Sequence, residues 1–273
     1  IAGSKLNVRS DNGFHLGVVG ANYAVAQNRD AFKFLDSLHQ DGILKYETAF
    51  SLGGGKRVVI TARLPQVDRV TDEDVLQRYI LFSNSHDGTG AIRFGATSVR
   101  VVCSNTLALA LGKGDIGSLG LRHSGDLDAK LNEARVLLGR AGERFDKFAE
   151  NAAALRRRVL SNDEWVEFLD LNVPALHEKD PNYTVGRAKN IHDTRAAIDT
   201  LYHDDPKQRL KGIGETAWAA FNSISEHVDH LPRRGANLRA RSESRFNVTQ
   251  SGTGNTIKQR AYKTALKYAG VDA

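Results

Sequence analysis

The stretch from Tyr79 to Leu111, YILFSNSHDGTGAIRFGATSVRVVCSNTLALAL, constrains the fold more than any other part of the chain. Two apolar runs, Tyr79 to Ser85 and Ala91 to Thr97, flank the turn-forming cluster His86-Asp87-Gly88-Thr89-Gly90. Tyr79, Ile80, Leu81, Phe82, Ile92 and Phe94 favour a pleated, half-buried surface, and Asp-Gly is a strong hairpin signal. A third β-rich run, Val99 to Cys103, ends in Ser104-Asn105-Thr106, three helix-capping types in front of LALAL. The pattern predicts strand, turn, strand, strand, short helix. It decides the fold class and names no reaction.

The segments before it read in the same way. Residues 1 to 14 form a polar lead-in, and Leu16 to Val25 reads as a strand interrupted by Gly17 and Gly20. Asn28 caps a helix whose apolar positions Ala31, Phe32, Leu35 and Leu38 keep helical spacing. Lys45 to Leu52 and Arg57 to Leu64 make a hairpin around Gly53-Gly54-Gly55. A phosphate loop needs a Gly-rich turn that opens a helix with Lys-Ser/Thr at its start. Here the glycines lead into another strand, so a hairpin turn is the better account. Pro65 is expected to end that strand, and Thr71-Asp72-Glu73-Asp74 to open a short helix with acid in its first turn. Gly112 to Gly120 reads as a loop and Leu119 to Ser124 as a last strand. About six strands in hairpin connections give a largely antiparallel sheet, an α+β domain over residues 1–125.

From Asp126 the texture changes. Leu131, Ala134, Leu138, Ala141, Phe145, Phe148, Ala152, Leu155 and Val159 recur at steps of three and four. This predicts a long helix over 126–160, about 50 Å at 1.5 Å per residue. Its seam of Leu131, Leu138, Phe145, Phe148 and Leu155 either packs on later helices of the same chain or pairs with a second subunit. Helices over 164–171, 187–202 and 215–231 complete a helical domain, 126–231, with Trp165, Phe168 and Leu169, and then Trp218, Phe221 and Ile224, facing inward. Residues 232–273 form a basic segment ending in a helix with Ile257, Tyr262, Ala265 and Leu266 inward.

The wording SNSHDGTGAIRFGATSVRVVCSNTLALAL, with LGVVGANYAVAQNRDAFKFLDSL and YETAFSLGGGKRVVITARLP before it, resembles the phage/plasmid-like protein family, a domain of unknown function. The resemblance covers about residues 15 to 170. It implies a mobile-element, cytoplasmic setting and carries over no catalytic residues.

Composition narrows the classes. The 273 residues are 26% charged and 41% hydrophobic, the balance of a folded globular protein. No apolar run approaches the roughly 20 residues of a membrane span, and no signal-peptide pattern is recognisable. One cysteine, Cys103, excludes an intrachain disulfide and reads as a small buried hydrophobe. The net charge of +6 is uneven: residues 207–273 hold twelve Lys and Arg against five Asp and Glu, +7, leaving −1 for the rest. That asymmetry is the electrostatic footprint of a polyanion partner.

Candidate chemistry follows from these features. The nucleic-acid-binding residues are Arg233, Arg234, Arg239, Arg241, Arg245, Lys258, Arg260, Lys263 and Lys267, all expected to be exposed. On the sheet, Arg57, Arg63, Arg93 and Arg100 can carry a phosphate backbone, whereas Tyr46, Tyr79, Phe82 and Phe94 belong mostly to the core. His86 and Asp87 form a candidate loop site at a hairpin tip. His227 and His230 lie three apart and do not make the His-Glu-x-x-His of zinc proteases. His192-Asp193 and His203-Asp204-Asp205 read as capping and loop residues. No cofactor is implied and no catalytic set assembles. Three readings follow: a sequence-tolerant nucleic-acid-binding protein, an oligomeric scaffold acting through the heptad helix, and a metal-dependent nuclease.

Overall fold

The computed structural model of the protein describes residues 3–103, 105–107, 118–121, 136, 141–230 and 253–272, with the side chains of 31, 33, 34, 37, 105–107 and 118–121 outside the description. The architecture is α+β: an N-terminal sheet region with few helices, then helices. Strands β1 (Ser4–Val8) and β2 (His15–Gly20) pair antiparallel in a two-stranded ribbon. Helix α1 (Asn28–Gln40) follows. A six-stranded sheet has the order β3-β4-β5-β6-β7, with β8 pairing with β6. Its strands are β3 (Lys45–Leu52), β4 (Arg57–Arg69), β5 (Val75–Ser85), β6 (Ile92–Arg100), β7 (Asn105–Leu107) and β8 (Ser118–Leu121). The helices α2 (Ala141–Arg157), α3 (Asn162–Asn172), α4 (Val185–Asp204), α5 (Ala217–His230) and α6 (Thr253–Tyr268) complete the described elements.

The chain divides into two compact units, each discontinuous in sequence. The first holds residues 1–67, 77–98 and 109–146, and the second 68–76, 99–108 and 147–273.

In the first unit, Leu35 of α1 is buried with Leu44, Ala62, Phe82, Ile92 and Phe94, and Phe32 and Leu38 pack against them. Phe82 meets both Phe32 and Phe94 edge to face at 4.7 Å, the arrangement that aromatic quadrupoles favour. A second cluster joins Ile80 and Ala96 to Ala141 and Phe145. The β3–β4 turn is the expected hairpin, and Gly53, Gly54 and Gly55 all hold positive φ, a conformation that favours glycine.

Six expectations are corrected here. The lead-in contains strand β1, whose Leu6 sits opposite Val18 with both exposed, at 51% and 61%; without a buried face its alternation carried no signal. Strand β2 ends at Gly20 instead of continuing to Val25. Strand β4 runs through Pro65 because β3 stops pairing at Arg63, so the missing N–H is not needed on that side. Thr71-Asp72-Glu73-Asp74 is the bend between β4 and β5, closed by the Val70 amide on the Asp74 carbonyl at 2.9 Å, and not a helix. Asn105–Leu107 is strand, not a helix start, and Val99 and Arg100 belong to β6 itself. The LALAL residues 108–111 and residues 122–124 lie outside the described residues.

The second unit is held by aromatic packing and by buried polar pairs. Phe148 of α2 meets Trp218 and Tyr262, while Trp165 stacks on Tyr202 at 3.8 Å. Helix α3 starts with a full capping box between Ser161 and Glu164. Helix α5 is buried on nearly every face, its polar Asn222, Ser223, Ser225, Glu226 and Asp229 included. Burial of ions is tolerated only with partners. Arg100, 0% exposed, forks onto Asp74, also 0% exposed, through Nε at 2.7 Å and Nη2 at 2.8 Å. Its Nη1 donates to Gln208 Oε1 at 2.7 Å, Trp218 Nε1 donates to Asp74 Oδ2 at 2.9 Å, and Gln208 Nε2 donates to Glu226 at 2.8 Å. Lys207 pairs with Glu226 as well. Arg100 is therefore a structural cation and not an exposed phosphate contact.

Lys258 of α6 is corrected in the same way. It is 3% exposed, with Nζ 2.6 Å from Asp229 Oδ1. Replacing Asp229 with Ala strips a buried ammonium of its carboxylate and should cost about 3–5 kcal/mol. The double variant Asp229→Leu, Lys258→Met should recover most of that loss, read as the midpoint of urea unfolding. A single variant as stable as the parent would contradict the pairing.

Candidate functional site

The turn His86–Gly90 is gripped from several sides within the first unit. The His86 amide donates to the Lys56 carbonyl at 2.7 Å, and its carbonyl accepts from Asn7 Nδ2 at 2.9 Å. Tyr23 donates its hydroxyl to the Ser85 carbonyl at 2.9 Å. Strand β2 reaches the turn only because position 17 is glycine: a Cβ there would lie 2.7 Å from the Asp87 carbonyl oxygen. His86 is consequently 6% exposed, which corrects the expectation of an exposed hairpin tip. Asp87 does what a turn aspartate does, accepting on Oδ1 from Ser85 Oγ at 2.7 Å, the Thr89 amide at 2.9 Å and Thr89 Oγ1 at 2.6 Å. Burial opposes its ionisation, but the Thr89 and Ser85 hydrogen bonds and the charge of Arg57 together hold the carboxyl below its ordinary value.

The His86 ring faces Asn28 and Asn84. Nε2 lies 2.9 Å from Asn28 Oδ1, and Asn84 Nδ2 donates to the same oxygen at 3.0 Å and to the Ala26 carbonyl at 2.9 Å. The carbonyl oxygen of Asn28, expected to cap α1, is thus engaged by these two side chains. Burial pushes the imidazole pKa down, against a smaller opposing pull from Asp87.

A cleft of about 360 Å³ opens beside this group. It is lined from β1 and the following turn by residues 7–11, from the entry to α1 by Val25, Gln27 and Asn28, and from the β3–β4 hairpin by Ser51, Gly55 and Val58, with Leu16 and His86 completing it. Arg9 forks onto both Asp11 oxygens and donates Nη1 to the Gly54 carbonyl at 2.9 Å. Strand β1, and with it Asn7, Arg9 and Asp11, is not legible in the local sequence pattern. The glycines at 17 and 53–55 were the available signal.

The cationic candidates separate into three groups. Arg233, Arg234, Arg239, Arg241 and Arg245 lie outside the described residues. Lys258 is spent on Asp229. Arg260, Lys263 and Lys267 are exposed at i, i+3 and i+7, one face of α6, while Ala261, Ala265 and Leu266 fill the opposite side. Among the described residues none of the three is paired with a carboxylate, and Arg260 donates to the Asn172 carbonyl. On the sheet, Arg63 reaches Glu47 at 3.4 Å.

Of the heptad seam, Phe145 and Leu155 are wholly buried and Phe148 nearly so, each by its own chain. Leu131 and Leu138 lie outside the described residues. Cys103 is buried and forms no disulfide, its Sγ 4.0 Å from the Arg100 carbonyl. His230 Nε2 is 2.8 Å from the Cys103 carbonyl. Among the described residues no group of three His, Cys, Asp or Glu side chains is placed to hold a metal, and no helix is long and apolar enough to cross a membrane.

Fold and site together define an α+β protein with a polar cleft and a cationic helix face. The chain belongs to the family described as domain of unknown function (DUF932), whose model matches residues 15–259. No curated protein and no solved structure matches it.

The depressed His86 pKa has a testable sign. Folding favours the neutral ring, so its contribution is complete above the unfolded value of about 6.5 and is lost as pH falls through the lower folded value. An NMR titration of the His86 ring should place its midpoint below about 6.5. A midpoint at or above that value would contradict the buried, Asn28-bonded ring.

Proposed function

We propose that the protein is a sequence-tolerant nucleic-acid-binding protein that takes phosphates on its basic C-terminal part. The observation that carries this reading is the stripe Arg260, Lys263 and Lys267, exposed on one face of α6 and unneutralised by carboxylates among the described residues. The five arginines at 233, 234, 239, 241 and 245 precede that helix and bring the last quarter of the chain to +7. Cations so placed contact phosphate without reading bases, which positions a strand and leaves its sequence unread. The resemblance to phage/plasmid-like proteins supports a setting in mobile-element DNA metabolism in the cytoplasm.

Internal pairing supports the same reading from the other side. Lys207, Arg209 and Lys258 are matched to Glu226, Glu215 and Asp229, so three of the five carboxylates in residues 207–273 are used on other cations. What remains positive is concentrated on α6 and in the arginine-rich segment before it.

Binding of 30-mer oligonucleotides, followed by fluorescence anisotropy, should weaken linearly on a log–log plot against salt. The slope should be about −0.9 per phosphate contacted on a duplex and about −0.7 on a single strand, with no preference among base sequences. Lys263→Glu with Lys267→Glu should reduce that slope by about one per lysine. Indifference to oligonucleotides in dilute buffer, or a slope unchanged by the two reversals, would contradict the proposal.

A further inference from the structure

The cleft of the first unit has a chemistry the cationic face does not use. Its volume of about 360 Å³ falls at the small end of ligand pockets, which run from about 300 to 1,000 Å³. It holds one small molecule and no polymer. Among its lining residues only Arg9 and Asp11 carry full charge, and they neutralise each other through two hydrogen bonds. The third guanidinium contact goes to the Gly54 carbonyl, so no unpaired cation is left to select a phosphate. A neutral ligand fits.

The hydrogen count at His86 fixes what that ligand meets. The Asn84 amide has two hydrogens, and both are placed, one on the Ala26 carbonyl and one on Asn28 Oδ1. His86 Nε2 lies 2.9 Å from that same acceptor oxygen and 3.3 Å from Asn84 Nδ2; the tautomer with its hydrogen on Nε2 satisfies the shorter contact and leaves the lone pair on Nδ1. Asn28 Oδ1 is taken twice, which leaves the Asn28 amide hydrogens to donate. The Asn28 amide hydrogens and the His86 Nδ1 lone pair are what these two lining residues have to offer a ligand, a donor and an acceptor. Asn84 Oδ1, on the residue that donates to Asn28, is buried without a hydrogen-bond partner among the described residues, a desolvation cost that calls for an explanation.

Val8, Leu16, Val25 and Val58 supply aliphatic walls around this polar pair. A sugar ring carries hydroxyls around its whole rim and would turn some of them onto those walls at a desolvation cost. A nucleobase has two apolar faces and one edge of alternating donors and acceptors. Asp11, fixed by Arg9, and the Ser51 hydroxyl are suited to accept from ribose hydroxyls.

We propose that this cleft binds a nucleoside, with the base edge on Asn28 and His86 and the aliphatic side chains against the base faces. The site is independent of the phosphate-binding face on α6 and stands or falls separately.

Titration calorimetry of the full chain with adenosine, guanosine, cytidine and uridine tests it, with adenosine 5′-monophosphate and glucose as contrasts. At least one nucleoside should bind saturably, glucose should not, and the monophosphate should gain nothing over adenosine. Asn28→Ala should weaken binding by about tenfold or more, the loss of about one charge-free bidentate edge. Val25→Trp adds bulk to the cleft from an exposed position, and should abolish binding while oligonucleotide affinity stays unchanged. Should Asn28→Ala unfold, Val25→Trp decides alone. The proposal is overturned if no nucleoside binds, if glucose binds as well, if the monophosphate binds about tenfold more tightly, or if Val25→Trp binds like the parent.

Discussion

The Arg100–Asp74 pair is the constraint on which the second unit depends. Both ions are fully buried, and each oxygen and nitrogen that the pair exposes to the interior is answered: by Trp218, Gln208 and the Lys207 carbonyl. Such a pair repays its desolvation only when the geometry is complete, and removing one partner leaves an isolated charge. Its members come from the β4–β5 bend, the end of β6, the turn after α4, and α5. That explains why residues 68–76 and 99–108 cluster with the helices instead of with the strands they continue. It also explains how α5 buries Glu226 on a face that periodicity alone would make apolar, since Gln208 and Lys207 reach it.

The same bookkeeping divides the positive charge. A net of +6 says how many cations exceed carboxylates and nothing about which are free. Arg100 and Lys258 are consumed inside, where their charges hold packing in place, and Lys207 and Arg209 are matched nearer the surface. Arg260, Lys263 and Lys267 meet water. The surplus at the surface is what the interior does not use.

Much of the fold was legible in the chain. The central hairpin, the Gly53–Gly55 hairpin, the Asn28 helix and the aromatic faces of α3 and α5 all follow local patterns, and local patterns survive into structure when one face is buried. What escaped was set at long range. Asp74 reads as a helix-opening acid until Trp218, 144 residues away, binds it. Lys258 falls on the exposed side of a helical wheel until Asp229, 29 residues earlier, buries it. Strand β1 was hidden because its apolar side chains are not covered. The cleft draws on five separate segments, and no spacing rule joins Arg9 to Gly54 or Asn28 to His86. Gly17 hinted at a close approach, but only coordinates say to what.

The most direct test of this account is a double-mutant cycle on Asp74→Leu and Arg100→Met, measured by urea unfolding. Each single change should cost about 3–5 kcal/mol. The pair should cost less than the sum by at least about 1.5 kcal/mol, because the second substitution removes the charge stranded by the first. Additivity within about 0.5 kcal/mol would mean that the two ions do not hold each other, and the account of the second unit would fail.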